Sequence, residues 1–521
     1  MDDSDSAAAA NHDIERVVIV GGGTAGWMAG AALSRFLNNG RRQIHLVESD
    51  AIGTIGVGEA TIPPILAFNA LLDLNENEFL RETQGTIKLA IEFVNWGRQG
   101  DRYFHPFGVY GQDLHGISFH QLWLRERGRG DPGPISDYCL SALAAADGRF
   151  ARPSRESRAP LPEMKYAFHF DASLYAKYLR GRAERQGLQR HEGRIVQVHR
   201  DPESGDVTAV ELESGERIAG DLFIDCSGFR ALLIGETLGV GYEDWSRWLP
   251  VDRAIPVPTP NVGPPDPFTR STAHGAGWQW RIPLQHRTGN GHVYCSEFIG
   301  DDEAEHVLRA NLEAEPFADP RVIRFTTGRR KQSWSHNVVC LGLSSGFLEP
   351  LESTSIHLVQ NGIQRLLALF PDRKISPLER DEYNRGMKDL YEDIRDFIIL
   401  HYKATQRDDT PFWRYVRDMP IPETLERKIG LWKLHGRLFR EGFELFGPVS
   451  WIAVMLGQNI LPDRHDPIAD TLDEGKVAMA MTEMRERYRA AAAALPKHEE
   501  FLRAAGAWAA GDVRPQAAAA R

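Results

Sequence analysis

A glycine-rich turn between two short apolar runs constrains the fold of this chain more than any other feature. Arg16–Val20 is a near-continuous β-branched run, which is typical of a buried parallel strand. A G-x-G-x-x-G follows at Gly21, Gly23 and Gly26, then a helical segment, and Gln43–Glu48 reads as a second strand. The pattern predicts a Rossmann-type β-α-β unit.

The three glycines have separate physical tasks. Gly21 permits the tight turn after the strand, Gly23 has no Cβ where a pyrophosphate must approach the backbone, and Gly26 lets helix and strand pack closely. The phosphates would lie at the helix N-terminus, where free N–H groups and the helix dipole favour negative charge. Glu48 ends the second strand, where a carboxylate reaches ribose hydroxyls. The segment predicts a dinucleotide site rather than a plain glycine-rich turn.

The position of the motif does not by itself separate FAD from NAD. A site near the start of the chain, joined by a later strand that runs into Asp225-Cys-Ser-Gly228, favours FAD. The residues that we predict to contact FAD come from the glycine loop, the second strand and several later apolar segments: Gly21, Gly22, Gly23, Ala25, Gly26, Glu48, Ser49, Ile52, Ile55, Ala60, Val196, Leu343 and Ile356.

Composition excludes several classes of protein. With 61 basic and 72 acidic side chains the net charge is −11, which argues against a nucleic-acid binder because phosphate contact needs clustered Lys and Arg. No apolar run is long enough for a membrane span, and the acidic start lacks the features of a secretory signal. The scattered cysteines predict neither a disulfide framework nor a metal site. We expect a cytoplasmic enzyme without a bound metal.

Further along the chain, strand signals give way to helix signals. Residues 193–224 alternate like antiparallel strands followed by a returning strand, Leu222–Cys226, and Asn337–Leu343 is another buried-strand candidate. From about residue 378 the pattern is largely helical. We predict an α/β protein. Residues 1–13 would form a disordered tail, residues 14–375 an FAD module with interleaved substrate-side segments, residues 376–508 a helical substrate module, and residues 509–521 a second disordered tail.

Four segments carry a resemblance to a known family. They are the glycine-rich start, the stretch from Ile55–Pro63 to Gly85–Trp96, a W-x-W-x-I-P at Trp278–Pro283, and GFLEPLESTSI at Gly346–Ile356. In this order they resemble the flavin-dependent tryptophan halogenases, from about residue 14 to about residue 470. The resemblance implies a monooxygenase-like FAD module joined to a more helical substrate module.

The resemblance also implies a reaction. A separate flavin reductase supplies reduced FAD, oxygen and halide then yield hypohalous acid, and this acid crosses a tunnel to a lysine beside an aromatic substrate. Lys88 corresponds to that lysine, and Glu352 to the carboxylate that stabilises the cationic arene or accepts its proton. Thr354 and Ser355 match the positions whose backbone N–H groups hold halide, although many relatives have glycine at 355.

The two catalytic candidates have plainer alternatives. Lys88 has apolar neighbours, and burial there would lower its pKa, but most lysines lie on the surface of an amphipathic helix. If it is catalytic, the sequence does not decide between an ammonium that polarises hypohalous acid and an amine that forms a haloamine. Glu352 could instead be an acid in the first turn of a helix capped near Ser353.

Other candidates concern the substrate. Trp278 and Trp280 are predicted to block organic molecules from the flavin; the alternative is an ordinary strand with one indole in the core and one outside. His105 and Phe107 match an H-x-F whose rings flank an indole, with a loop histidine and a core phenylalanine as the alternative. Ser353 is predicted to support Glu352 or Lys88.

The segment predicted to recognise an amino acid departs from the family pattern. Tryptophan-specific members have a Tyr-Tyr pair and a later Glu, whereas this chain has Ser450-Trp451 and, further on, Gly457 or Gln458. Trp451 is therefore predicted to contact an indolic substrate other than free tryptophan. The alternatives are a flavin-dependent aromatic hydroxylase and a non-catalytic FAD-binding protein. The oligomeric state stays open, with a homodimer among the options.

Overall fold

The computed structural model describes residues 13–51, 58–153 and 164–508. Within them the strands in chain order are β1 Arg16–Val20, β2 Gln43–Glu48, β3 Gly58–Ala60, β4 Thr86–Lys88, β5 Ala90–Val94, β6 Arg102–Pro106, β7 Ala167–Asp171, β8 Gln189–Glu192, β9 Ile195–Arg200, β10 Val207–Leu212, β11 Arg217–Ala219, β12 Leu222–Asp225, β13 Tyr242–Asp244, β14 Arg253–Thr259, β15 Phe268–His274, β16 Gly277–Pro283, β17 Thr288–Tyr294, β18 Ile323–Arg324, β19 Gly328–Arg330, β20 Trp334–Ser335, β21 Val338–Cys340 and β22 Gly346–Phe347.

In the described residues, α-helices follow one another closely along the chain after β22. They are α1 Thr24–Leu37, α2 Pro64–Leu71, α3 Glu76–Glu82, α4 Phe119–Arg127, α5 Leu140–Ala146, α6 Ala172–Arg185, α7 Asp301–Ala310, α8 Ser355–Ala368, α9 Pro377–Lys403, α10 Pro411–Asp418, α11 Glu423–His435, α12 Pro448–Gly457, α13 Glu474–Ala494 and α14 His498–Ala504. Within the described residues the last strand is β22, so the change from mixed sheet to helices falls between β22 and α8.

The nucleotide-binding sheet has the order β20-β21-β12-β1-β2-β8. Its strands from β21 to β8 are parallel, and β1 lies between β12 and β2. The predicted strands β1 and β2 form with the expected bounds, because their buried β-branched side chains suit the centre of a parallel sheet. The strand expected over Asn337–Leu343 is shorter, since β21 ends at Cys340 and the chain turns at Gly342–Ser344.

A second sheet of seven strands has the order β18-β14-β17-β16-β15-β5-β6. It brings the W-x-W segment on β16 and the H-x-F segment at the end of β6 into one layer. Lys88 lies beside this layer on β4, which pairs with β7 in a small sheet of three strands. The α/β fold class with mixed sheets is confirmed.

The two predicted modules share one core. A single cluster of buried apolar side chains extends from Ile14 on the sheet side to Ala505 on the helical side. Asp13, predicted to belong to the first tail, pairs with Arg42 at 3.3 Å. The other tail residues, 1–12 and 509–521, lie outside the described residues. Among the helices of the described ranges, none is both long and apolar enough to cross a bilayer.

Candidate active site

The glycine loop follows β1 and leads into α1. Gly21 has φ +109°, and a Cβ there would lie 2.3 Å from the carbonyl oxygen of Cys226, so the turn requires glycine. A Cβ on Gly26 would lie 1.9 Å from the Gly21 oxygen, because helix and strand are in close contact. Gly23 faces open space instead: among the described residues, no atom would lie within 4 Å of a Cβ at this position. The loop therefore leaves room for a phosphate to approach its backbone.

The loop opens onto a cavity of about 730 Å³. Nine of the thirteen predicted FAD contacts line this cavity: Gly21, Gly22, Gly23, Ala25, Glu48, Ser49, Ala60, Leu343 and Ile356. Gly26 packs directly behind the loop. Val196 stays a predicted contact; its side chain is 55% exposed, and the neighbouring Ile195 lines the cavity from the opposite side of β9. Ile52 and Ile55 lie outside the described residues.

The Glu48 carboxylate is held in place beside the glycine loop. It accepts hydrogen bonds from Arg190 Nε at 2.5 Å and from Trp27 Nε1 at 3.3 Å. A Cβ on Gly22 would collide with its Oε2, so the carboxylate lies against the loop. A dinucleotide fits this arrangement, since the loop could hold the pyrophosphate and Glu48 the ribose. Sequence patterns did not predict Arg190, which comes from the neighbouring strand β8.

Asp225 shapes the opposite side of the same cavity. Its Oδ2 accepts from the backbone N–H groups of Leu233 and Ile234, both at 2.8 Å, and its Oδ1 accepts from Ser227. The side chain is fully buried. Asp225 therefore fixes the loop after β12 against the glycine loop, and its carboxylate is committed to backbone donors rather than to a ligand.

Two tryptophans form part of the cavity wall. Trp278 and Trp280 are 1% and 8% exposed and both line the cavity, with ring centroids 6.2 Å apart. The alternative with one indole outside is wrong, because residues two apart on a strand share a face. Trp280 covers Gly291 across the strand pair, where a Cβ would lie 2.1 Å from the indole.

Lys88 is fully buried at the end of β4, so the alternative of a surface helix residue is wrong. Its Nζ donates to Ser353 Oγ at 2.7 Å and lies 5.2 Å from the ring centroid of Phe107. Burial lowers the pKa of the Lys88 ammonium from 10.5 to about 7, although Glu352 opposes the shift. Both the ammonium and the amine are therefore accessible near neutral pH.

Glu352 ends a short turn, Pro350–Glu352, and its side chain is fully buried. His105 Nδ1 lies 2.9 Å from one carboxylate oxygen, and His401 Nε2 lies 2.8 Å from the other. Burial raises the pKa of this carboxyl, but the charges and hydrogen bonds of the two histidines outweigh it and bring the pKa to about 2. Glu352 is therefore ionised, and the alternative of an ordinary helix-start acid is wrong, since α8 begins three residues later.

His401 is a site residue that sequence patterns missed. Its Nδ1 lies 2.8 Å from the carbonyl oxygen of Phe397, and its Nε2 faces Glu352. The Nδ1 carries a proton in this arrangement, because a carbonyl oxygen can only accept a hydrogen bond. No local motif marks His401, because it approaches Glu352 from the last turn of α9.

Ser353 joins the cavity to the buried lysine. It lines the cavity, and its Oγ accepts from Lys88 Nζ. Its backbone has φ +59° and ψ +40°, a left-handed conformation that costs a non-glycine residue about 1 kcal/mol. Thr354 and Ser355 follow at the start of α8, where helix N–H groups are unpaired; Ser355 lines the cavity and the Thr354 side chain is buried.

An aromatic cluster occupies the helical side of the site. The Phe397 ring stacks on Phe446 with centroids 3.9 Å apart and meets the Trp451 indole edge-on at 5.1 Å. His105 faces Phe397 and Phe446 at 5.7 and 6.3 Å. Lys428, whose Nζ lies 4.5 Å from the Trp451 ring, is paired with Glu444. His105 and Trp451 thus share one apolar cluster, while Phe107 lies on the Lys88 side.

The cavity fits a dinucleotide, and it ends at a serine that is hydrogen-bonded to a buried lysine and followed in space by an ionised carboxylate, Glu352. This combination indicates a dinucleotide-dependent enzyme with a second reaction centre. Residues 16–474 match the sequence profile described as tryptophan halogenase, and the chain belongs to that family. The tryptophan 6-halogenase of Streptomyces toxytricini is 34% identical, and the match covers 94% of this chain and 98% of that protein.

Solved structures agree with this membership. A flavin-dependent halogenase from Xanthomonas campestris is 51% identical with a TM-score of 0.91, covering 94% of this chain and 98% of the other. One from Brevundimonas sp. BAL3 is 49% identical with the same TM-score, covering 94% and 99%. The chain is a flavin-dependent halogenase that uses reduced FAD, O2 and halide, and the prediction of a halogenase acting on an indolic substrate is confirmed.

Proposed function

We propose that this enzyme halogenates a neutral indolic compound in preference to free tryptophan, with Lys88 as the group that receives hypohalous acid and Glu352 as the carboxylate that acts on the arene. The observation that carries the substrate preference is that the three residues at the positions of the family's tyrosine pair and glutamate, Trp451, Gly457 and Gln458, carry no charge. The catalytic assignment is supported by the arrangement around Ser353, which lines the flavin cavity and accepts from Lys88.

The positions that would bind the carboxylate and ammonium of an amino acid make other contacts in this protein. A Cβ on Gly457 would lie 2.3 Å from the Tyr103 ring, and the buried Gln458 side chain bonds to Tyr103 OH at 3.2 Å. Lys428 and Glu444, which lie beside Trp451, are paired with each other at 2.5 Å. A carboxylate and an ammonium buried here would lose their hydration without gaining an oppositely charged partner from these three residues, which is costly.

Each catalytic side chain has a task in this proposal. Halide would lie at the start of α8 near Thr354 and Ser355, and reduced FAD, when bound, would activate O2, the oxidant that converts halide to hypohalous acid. Lys88 would hold that acid at Nζ, as an ammonium that polarises it or as an amine that forms a haloamine. Glu352, kept ionised by two histidines, would stabilise the cationic ring and take its proton.

Further parts of the proposal rest on the family resemblance. Residues 14–375 would form the FAD module and residues 376–508 the substrate module. Reduced FAD would come from a separate flavin reductase, and a cytoplasmic location suits a reductase that consumes NADH. Trp278 and Trp280 would keep the indole away from the flavin, and a homodimer remains among the assemblies compatible with the proposal.

A charge series of substrates tests the preference. Indole carries no charge, tryptamine one positive charge, indole-3-acetate one negative charge, and tryptophan both charges. Pairs of these compounds would compete in one reaction that contains bromide, FAD and a reductase. We expect kcat/KM to fall along the series, with indole at least about tenfold above tryptophan, or about 1.4 kcal/mol in the transition state. Predominant bromotryptophan would contradict the proposed preference.

A further inference from the structure

Glu349 is a second buried carboxyl on the turn that carries Glu352. It is fully buried, and the turn Pro350–Glu352 begins directly after it. Its Oε2 accepts hydrogen bonds from Trp278 Nε1 at 2.6 Å and from Tyr402 OH at 2.7 Å. Its Oε1 has no hydrogen-bond partner within the described part of the chain. One oxygen atom therefore joins strand β16 to helix α9.

The two residues that Glu349 holds belong to the two halves of the site. Trp278 lines the flavin cavity, and Tyr402 follows His401, whose imidazole faces Glu352. Trp96 packs between them, with ring centroids 6.4 Å from Trp278 and 5.4 Å from Tyr402. Buried indole N–H and phenol O–H groups need an acceptor, and Glu349 supplies both with one atom.

The environments of the two carboxyls differ sharply. Glu352 faces two histidines, which keep it ionised, whereas Glu349 faces an indole and a phenol, which are neutral. Burial raises the pKa of Glu349 to about 7, and the hydrogen bonds from Tyr402 and Trp278 only partly oppose this. The ionised form would then strengthen both hydrogen bonds, and the protonated form would carry its proton on the unpartnered Oε1.

We propose that Glu349 is a positioning residue: its carboxyl holds the Trp278 indole as the wall between the flavin cavity and the lysine, and ties that wall to the helix that presents His401 to Glu352. The inference rests on the proposed role of Trp278 as a block between the two reaction centres. In this arrangement Glu349 touches neither cofactor nor substrate and acts through Trp278 and Tyr402.

Indole N–H signals of ¹⁵N-tryptophan-labelled protein test the contact without turnover. A Trp278→Phe variant assigns one of the 12 tryptophan signals. We expect that signal to lie downfield, as a short hydrogen bond to a carboxylate requires, and to shift with a midpoint near neutral pH. Glu349→Gln should keep the signal dispersed but abolish its pH dependence. A signal that does not titrate in the natural protein, or titrates equally in Glu349→Gln, would overturn the proposal.

Coupling of flavin oxidation to halogenation tests the consequence. The quantity measured is the halogenated product formed per reduced flavin consumed. Glu349→Gln should stay within about twofold of the natural protein, because the Gln oxygen can still accept from Trp278 and Tyr402. Glu349→Ala should form at least about fivefold less product per reduced flavin. Equal coupling in the Ala and Gln variants would overturn the positioning role even if the indole signal behaves as expected. If the signal behaves as expected and Trp278→Phe leaves coupling intact, the wall role fails instead.

Discussion

The burial of Lys88 predicts that removing this side chain stabilises the protein while abolishing its activity. In Lys88→Met an unbranched apolar side chain replaces an ammonium that lies at 0% exposure and donates a single hydrogen bond, to Ser353. The expected activity is no regioselective product above that of free hypohalous acid, with FAD binding retained, because Lys88 does not line the cofactor cavity.

The magnitude follows from the pKa of Lys88, which burial lowers from 10.5 to about 7. Because the folded pKa is below the unfolded one, the folded protein is penalised when the lysine is protonated. The penalty is complete below about pH 7, where the difference of about 3.5 between the two pKa values corresponds to about 5 kcal/mol in the free energy of unfolding. It fades as the pH rises toward 10.5. At pH 9, which is about 1.5 units below the unfolded pKa, about 2 kcal/mol of the penalty remains.

The lost hydrogen bond to Ser353 costs the variant about 1–1.5 kcal/mol. The free energy of unfolding of Lys88→Met should therefore exceed that of the natural protein by about 3–4 kcal/mol near pH 6 and by less than about 1 kcal/mol near pH 9. With about 2.1 cal/mol/K per residue, a chain of about 500 residues unfolds with an entropy of about 1 kcal/mol/K. The melting temperature should therefore rise by about 3–4 °C near pH 6 and by about 1 °C or less near pH 9.

Differential scanning calorimetry at the two pH values measures this, with Lys374→Met as the control, since Lys374 is exposed on the loop before α9. The control should leave the melting temperature unchanged at both pH values. A Lys88→Met variant that melts below the natural protein, or that gains equally at both pH values, would refute the reasoning. Regioselective halogenation retained in this variant would refute the catalytic role of Lys88.

Three further predictions follow from the geometry. Glu352→Gln should lose roughly 10²–10⁴ in turnover, because the charge between His105 and His401 is removed; a variant within about threefold of natural activity in steady-state assays would contradict this. Gly23→Ala should fold normally but weaken FAD binding in a flavin-fluorescence titration, since its methyl group enters the space left for phosphate. Gly26→Ala should instead lower the melting temperature of the protein without cofactor, because its Cβ meets the Gly21 carbonyl; equal melting temperatures for the two glycine variants would contradict the distinction.

The sequence determined the features that depend on a residue's own covalent structure. Gly21 and Gly26 are glycine because a Cβ has no space there, and β1 is a strand because its β-branched residues suit a buried parallel position. The N-cap of α6 at Asp171 likewise depends on a side chain that reaches N–H groups two and three residues ahead. The family resemblance of their segments pointed to Lys88 and Glu352, whose catalytic roles stay predictions.

Only the tertiary structure decided which distant groups meet these residues. Arg190 reaches Glu48 across 142 positions, and His401 reaches Glu352 from another helix. The orientation of β9 has the same origin, because strand side chains alternate and only the placement of β9 shows that Ile195 faces the cavity. Glu349 and Trp278 lie 71 positions apart, so their hydrogen bond exists only once β16 and the turn before α8 are packed together. Sequence patterns describe neighbours along the chain, whereas desolvation and charge pairing depend on neighbours in space.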